Sequence, residues 1–424
     1  MVRGLFQPAQ LAWGGGRWAA DLAALTHLPG PQALARLGYL VKLPLLALRF
    51  GGPFLARATV AQPLVSAPDP WPGDAERGAA LIDGSFLLAG REIVDPTPLW
   101  APPTADQEWL AELHAFSWLR DLRSVGGDKA RRRARELLGS WLARHDRWRA
   151  PAWDPEVTGR RLAEWFGHYD FVAASAETSF REILLQSAER QGRYLRRVLP
   201  AGLAGGSLVA ATKGLIYAAV CLPAGRPWLG RALDLLAREL PRQMLGDGGQ
   251  IERSPARQAA LLRDLIDIRA TLGAGGLETP PELAAAIGAL GPVLRLLRHG
   301  DGGLALFNGS GEGEDWQLDL LLQRAGARGQ PMMSAPAAGF QRLQAGRALI
   351  LVDCGPPPPR GFDALAHAGT LSFEMSVGRE RLIVNCGARY DDADWRVLQR
   401  STAAHSTLTV ADTNSSDVTL SGLG

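Results

Sequence analysis

A chain of 424 residues, 46% of them hydrophobic, is longer than one typical domain and too apolar to remain disordered. Its formal net charge of +3 gives no broad field for nucleic acid. Lys42, Lys129 and Lys213 are the only lysines among 46 basic residues. The arginine forks suit carboxylate and sulfate groups, although a GC-rich genome also yields chains rich in Ala, Gly, Pro and Arg.

The first residues, MVRGLFQPAQLAWGGGRWAADL, lack a basic start followed by a clean apolar core, so no signal peptide is read there. The most apolar run, LGYLVKLPLLALRFGGPFLA, is interrupted by Lys42, Pro44, Arg49 and two glycines. It makes a poor membrane span and a better amphipathic helix, packed on the protein or lying at a membrane surface. Residues 1–104 thus read as a helical segment followed by a Pro- and Gly-rich arm, with strand-like pieces at SFLLAG and EIV.

From Asp106 the pattern becomes helical. Trp109, Leu113 and Phe116 fall at i, i+4 and i+7. Helices are predicted over 128–145, 155–175, 178–198, 207–222, 226–245, 254–273 and 280–298, separated by Gly- or Pro-bearing breaks such as VGGD, PAGLAGG and TPPE. Such pairs without a fixed repeat suggest that residues 105–300 form an (α/α) toroid or a helical bundle. KARRRAR (129–135) reads as the wet face of one of these helices. His114 and His168 lie on apolar patterns and read as structural. Arg161 and Trp165 are one turn apart on a shared face. They fit either the core or a sugar-stacking wall.

In GGQIERSP, Ser254 reads as a helix N-cap with Pro255 at the first helical position. Glu252 and Arg253 before it fit a substrate-facing rim or a solvated pair. Arg257 after it could grip a carboxylate.

After Gly302 the texture turns to β. LALFNG reads as a short strand, with Asn308 either in a turn or facing sugar hydroxyls. DWQLDLLLQRA reads as one more helix, and AGFQRLQAGRALILVDCG as a hairpin. Leu371, Phe373, Met375 and Val377 alternate with polar residues, which predicts a half-buried strand turned at Gly378. STLTVAD, after His405, reads as another strand. His367 and His405 both follow small residues. Cys221, Cys354 and Cys386 have no CxxC spacing, so no disulfide framework is expected. Residues 301–424 are expected to be an antiparallel β-sandwich, apparently incomplete where the chain stops.

The order of LHAFSWLRDL, RRLAEWFGHYDF, ATKGLIYAAVCLP, DGGQIERSP, LALFNGSGEG, AHAGTLSFEMSVGRERLIVNCG and RSTAAHSTL resembles the bacterial heparinase II/III-like family. The likeness implies a polysaccharide lyase with an (α/α) toroid and a β-sandwich, acting by β-elimination on a uronate-containing acidic polysaccharide of the cell envelope. It implies no cofactor for the elimination. Such chemistry needs a base for the C5 proton, a neutraliser for the carboxylate and an acid for the leaving oxygen. The positions matching the family's Asn-His pair are Gly206 and Ser207, those matching its Tyr-His pair are Ala256 and Arg257, and Leu365 stands where a further histidine would be.

The family's metal set maps onto His367, Asn385 and His405, which implies a possible structural zinc, with Asn385 a weaker ligand than aspartate. Asp391, Asp392 or Asp412 could complete it. Otherwise the two histidines are ordinary buried imidazoles. If the chain is active, His405 or His367 is the candidate base, Tyr390 the acid, and Arg253 or Arg257 the carboxylate clamp. The alternative is a catalytically divergent glycan-binding or envelope-assembly protein. The likeness also implies the cell envelope or periplasm, with the cytoplasm open because no export signal is read. Oligomeric state is not legible.

Overall fold

The computed structural model describes residues 30–50, 62–145, 147–389, 393–419 and 422–423. Tyr390, Asp391 and Asp392 lie outside these, as do residues 1–29 and 51–61. Helix α1 (Gly30–Phe50) and α2 (Ala75–Ile82) precede the hairpin β1 (Ser85–Leu88) and β2 (Arg91–Val94). A helical series follows: α3 (Gln107–Ala115), α4 (Leu119–Val125), α5 (Gly127–Arg144), α6 (Pro155–Gly167), α7 (Tyr169–Ala173), α8 (Thr178–Val198), α9 (Gly205–Cys221), α10 (Leu229–Gln243), α11 (Pro255–Ala274), α12 (Pro281–Leu296) and α13 (Asp315–Ala325). No helix among the described residues is long and apolar enough to cross a membrane.

The local chemistry explains most of these boundaries. Asp74 accepts bonds from the amides of Glu76 and Arg77 at the start of α2, and Asp106 accepts from Trp109 at the start of α3. Prolines open α6, α11 and α12. The α11 cap departs from expectation. The Ser254 side chain does not cap it, and the Ala256 amide donates instead to Ser310 Oγ at 3.0 Å.

One hydrophobic core runs through the helices and the arm. Trp71, Phe86 and Trp100 of the arm share it with Trp109, Trp118, Trp141, Trp153 and Trp165. The helical body also passes the expected boundary at residue 300, because Leu318, Leu321 and Leu322 of α13 belong to the same core. Helices α6 and α9 touch backbone to backbone. A Cβ on Gly159 would lie 2.4 Å from Ala211 Cα, and one on Gly214 would lie 2.2 Å from the Gly159 carbonyl oxygen. Two glycines therefore make this contact possible.

The second region is one antiparallel sheet in the order β3 (Ser334–Ala335), β4 (Phe340–Ala345), β5 (Ala348–Asp353), β6 (Phe373–Val377) and β7 (Glu380–Ile383). Helix α14 (Ala393–Gln399) and the short ladder β8 (Val418–Thr419) with β9 (Gly422–Leu423) follow. Phe340, Leu349 and Leu351 face the helices and pack with Val293, Leu296 and Phe307. The alternation in β6 is real, but its faces are reversed from a simple hydrophobic reading. Glu374 and Ser376 are fully buried, whereas Phe373, Met375 and Val377 are half-buried. Leu371 precedes the strand in left-handed backbone, φ 62°, and is exposed.

Two expected strands do not form. Leu304 makes only an isolated bridge with Arg298, and Val410 one with Thr413. Alternation can mark a half-buried strand, but a strand also needs a neighbouring edge to pair with.

Candidate functional site

Helices α9 and α11 both begin where the helical body meets the sheet region. A Cβ on Gly205 would stand 3.7 Å from Phe362 Cε1, and Ser310 caps α11. Gly206 and Ser207 at one helix start and Ala256 and Arg257 at the other provide no imidazole or phenol.

Between these starts runs a polar relay. Gly205 N–H donates to Glu239 Oε1 at 2.7 Å, and Gln243 Nε2 donates to the same oxygen at 2.7 Å. Gln250 Nε2 lies 3.3 Å from Gln243 Oε1 and 3.0 Å from Glu252 Oε1. Glu252 Oε2 is 3.6 Å from Arg257 Nε. Burial raises the Glu252 pKa, while Arg257 and Gln250 oppose the shift. Burial likewise raises Glu239, opposed by the Gly205 amide and by Gln243. The half-exposed Arg257 can reach a ligand carboxylate. Glu239, Gln243 and Gln250 were not singled out from the sequence, although a signal existed. Glu239 and Gln243 fall on the same buried stripe of α10 as Ala232, Leu236 and Leu240.

Arg253 has a different fate from the rim clamp considered from sequence. It is buried, in left-handed backbone at φ 54°, and reaches into the sheet region. Its Nε donates to the Ala338 carbonyl at 2.7 Å, its other nitrogens bind the Pro356 carbonyl and the Asp353 carboxylate, and its guanidinium sits 5.1 Å from the Phe340 ring centre. This is a latch between the two regions. Asn308 is also a buried connector, not a free sugar contact. Its Nδ2 donates to the Arg253 carbonyl at 2.9 Å and its Oδ1 accepts from the His367 amide at 3.1 Å.

Arg161 and Trp165 lie inside the helical body, away from solvent. Arg161 donates to the His114 and Ala152 carbonyls at 2.9 and 2.7 Å and to Gln191 Oε1 at 2.8 Å, with its guanidinium 4.4 Å from the Trp141 ring centre. Neither residue can contact a polysaccharide in this fold. His114 and His168 are buried as well.

His367 and His405 meet. His367 Nδ1 is 3.0 Å from His405 Nε2, with the rings nearly perpendicular. His405 Nδ1 faces the Ser401 carbonyl at 2.8 Å and must donate to it. Its Nε2 is then the acceptor in a neutral pair, and His367 Nδ1 the donor. Burial drives His367 down to about 3, assisted by His405 and Arg400, and lowers His405 too. The small neighbours now have a reason: a Cβ on Gly369 would be 2.6 Å from His405 Cδ2.

A zinc ion does not fit this donor set. Asn385, the third expected ligand, spends Nδ2 on Glu374 Oε1 and Oδ1 on the Ser406 amide. No aspartate, glutamate or cysteine joins the two imidazoles in a metal-sized group among the described residues. Asp69, Glu164 and His168 do form such a group, but Arg120 Nη2 already bridges its carboxylates at 2.5 and 3.1 Å, which makes it an ion-pair network.

Glu374 holds the sheet to the helices. Its Oε1 accepts from the amides of Leu306 and Asn385, while its Oε2 binds His299 Nε2 at 2.8 Å. His299 Nδ1 then meets Ser376 Oγ at 3.0 Å.

Residues 96–282 match the family model described as Heparinase II/III N-terminus, and residues 327–423 match Heparinase II/III-like, C-terminal. FtsZ-localized protein C of Caulobacter vibrioides is 32% identical over 361 residues, covering 81% of this chain and 60% of that protein. The chain thus spans less than two thirds of that relative's length. Among solved structures, heparinase III superposes with a TM-score of 0.65 at 17% identity, covering 89% of this chain and 68% of that one. Heparan sulfate lyase HepC from Pedobacter heparinus gives 0.54 at 17% identity, covering 95% and 69%. At these identities the structural likeness establishes the toroid-plus-β fold.

Proposed function

We propose, from the premise that the chain belongs to the heparinase II/III-like family, that it is a catalytically divergent member whose work is binding and assembly in the cell envelope. The observation that carries this reading is the chemistry of the two helix starts. Gly206, Ser207, Ala256 and Arg257 leave no imidazole or phenol where the family's acid and base are expected. The buried relay of Glu239, Gln243 and Gln250 fixes Glu252 in place, and the half-exposed Arg257 at its end is suited to holding a carboxylate of an acidic glycan. The likeness to a protein named for its localisation with FtsZ supports a role alongside FtsZ.

The test has two arms. Purified protein is incubated with uronate-containing polysaccharides while the ultraviolet absorbance of unsaturated uronate is followed, and it is sedimented with and without FtsZ polymers. A flat trace with FtsZ-dependent pelleting is expected. Rising absorbance without pelleting overturns the reading.

One observation favours elimination by a replacement base. Glu252 has a raised pKa and a guanidinium 3.6 Å away, features that suit a proton acceptor beside a carboxylate clamp. Under that reading, activity would be present in the native chain and lost in Glu252→Gln.

A further inference from the structure

Where α12 ends, a cavity of about 450 Å³ opens between Arg295, Arg298, Asp319 of α13, Arg328 and Arg342 of β4. It shares no residue with the relay. Four guanidinium groups face one carboxylate, and Asp319 is mostly exposed, so water screens its pair with Arg298. Other nearby charges are spent elsewhere. The Asp315 carboxylate lies 3.6 Å from Arg379 Nη2, and Asp301 is bonded to Arg381 Nε at 2.7 Å. His299, also in the wall, uses both ring nitrogens on Ser376 and Glu374.

Part of this positive charge serves the fold. Arg342 Nη1 donates to the carbonyls of Leu296 and Arg298 at 2.9 and 2.7 Å, closing the end of α12. Arg295 donates to the carbonyls of Ala327 and Gly329. Carbonyl bonds satisfy donors but cancel no net charge. Arg342 is only 7% exposed and has no carboxylate partner among the described residues, and its buried Nε makes no hydrogen bond to them. Its Nη2 makes none either among the described residues. Nε and Nη2 form one edge of the planar guanidinium, the edge that binds an oxyanion through two parallel bonds. Arg328 is exposed, with no hydrogen bond or ion pair of its own among the described residues.

We propose that this cavity is an oxyanion site that binds a phosphate or sulfate group, free or carried on a sugar-sized molecule, between the unused edge of Arg342 and the side chain of Arg328. A tetrahedral anion can accept from several directions at once, which suits arginines converging from a helix end, a loop and a strand. The cavity volume falls within the usual range for small-ligand pockets. The inference does not depend on the proposed role alongside FtsZ.

The test is calorimetry on the full chain with inorganic phosphate, sulfate and glucose 6-phosphate, at constant ionic strength set with chloride. Saturable binding of phosphate or sulfate is expected. Tighter binding of glucose 6-phosphate than of phosphate assigns the group to a carried anion, and equal binding assigns it to the free one. Arg328→Glu is expected to weaken binding at least tenfold, and Arg342→Gln to do the same if it folds. Because Arg328 is exposed, its variant decides the matter even if the other is unstable. Binding absent from the native chain, or unchanged in Arg328→Glu, overturns the proposal.

Discussion

Arg161 and Arg253 are both buried arginines, and the molecule satisfies them in different ways. Inside the helical body, Arg161 has no carboxylate partner among the described residues; two carbonyls, one glutamine oxygen and the face of Trp141 surround it, and burial lowers its pKa to about 9. At the junction, Arg253 meets the Asp353 carboxylate as well as carbonyls. The helical body can aim backbone carbonyls at one point because its own packing fixes them. Residues separated by 100 positions in sequence, on two different regions, gain orientation from a charge pair that works at one relative placement.

The sharpest way to break this contrast is Arg253→Ala, which leaves Asp353 buried without its partner. A loss of about 3–5 kcal/mol in denaturant unfolding is expected. Adding Asp353→Asn should recover a substantial part of it, and two additive losses would show that the pair is not coupled. Arg161→Met keeps most of the volume and removes the bonds to the two carbonyls. It should cost roughly 2–3 kcal/mol, with no rescue from removing any carboxylate. A comparable rescue would erase the distinction between the regions.

Smaller effects test the histidine pair and the relay. His367 has a depressed pKa in the folded state, so its neutral form is favoured there and stability is lost as pH falls below the unfolded value of about 6.5. His367→Gln should flatten the decline in unfolding free energy between pH 6.5 and 4.5, by at most about 1.4 kcal/mol per pH unit. An unchanged slope would mean that the imidazole is protonated equally in both states.

The smallest change is expected for Glu252→Gln. A raised carboxyl pKa favours the folded state at low pH, and that contribution is lost as pH rises through the folded value. The variant should therefore match or exceed native stability at pH 8, within about 1 kcal/mol, and the gap should close toward pH 4.5. A less stable variant at pH 8 would show that the Arg257 ion pair outweighs burial.

The helices were legible because their signals are local. The predicted 178–198 and the observed α8 coincide, and α11 begins beside the proline that announced it. Contacts across the chain were not. Ser254 had the right chemistry for a cap, yet Ser310, 56 residues later, sits beside it and takes the bond. Alternation in β6 gave the period but not the inward face, because Glu374 and Ser376 find His299 on the helical side. Glu239 and Gln243 were readable as polar members of a buried stripe.

By itself, the sequence determined the order of the helices, the family likeness and the absence of the expected acid and base pairs. These depend on residue identity, short-range periodicity and capping. Only the tertiary structure decided which polar groups are available. Arg253 became a latch, Arg161 a core residue, and Arg257 stayed half-exposed at the junction. Three arginines of like chemistry diverged because burial and pairing depend on what packs opposite each one, and those neighbours come from distant parts of the chain.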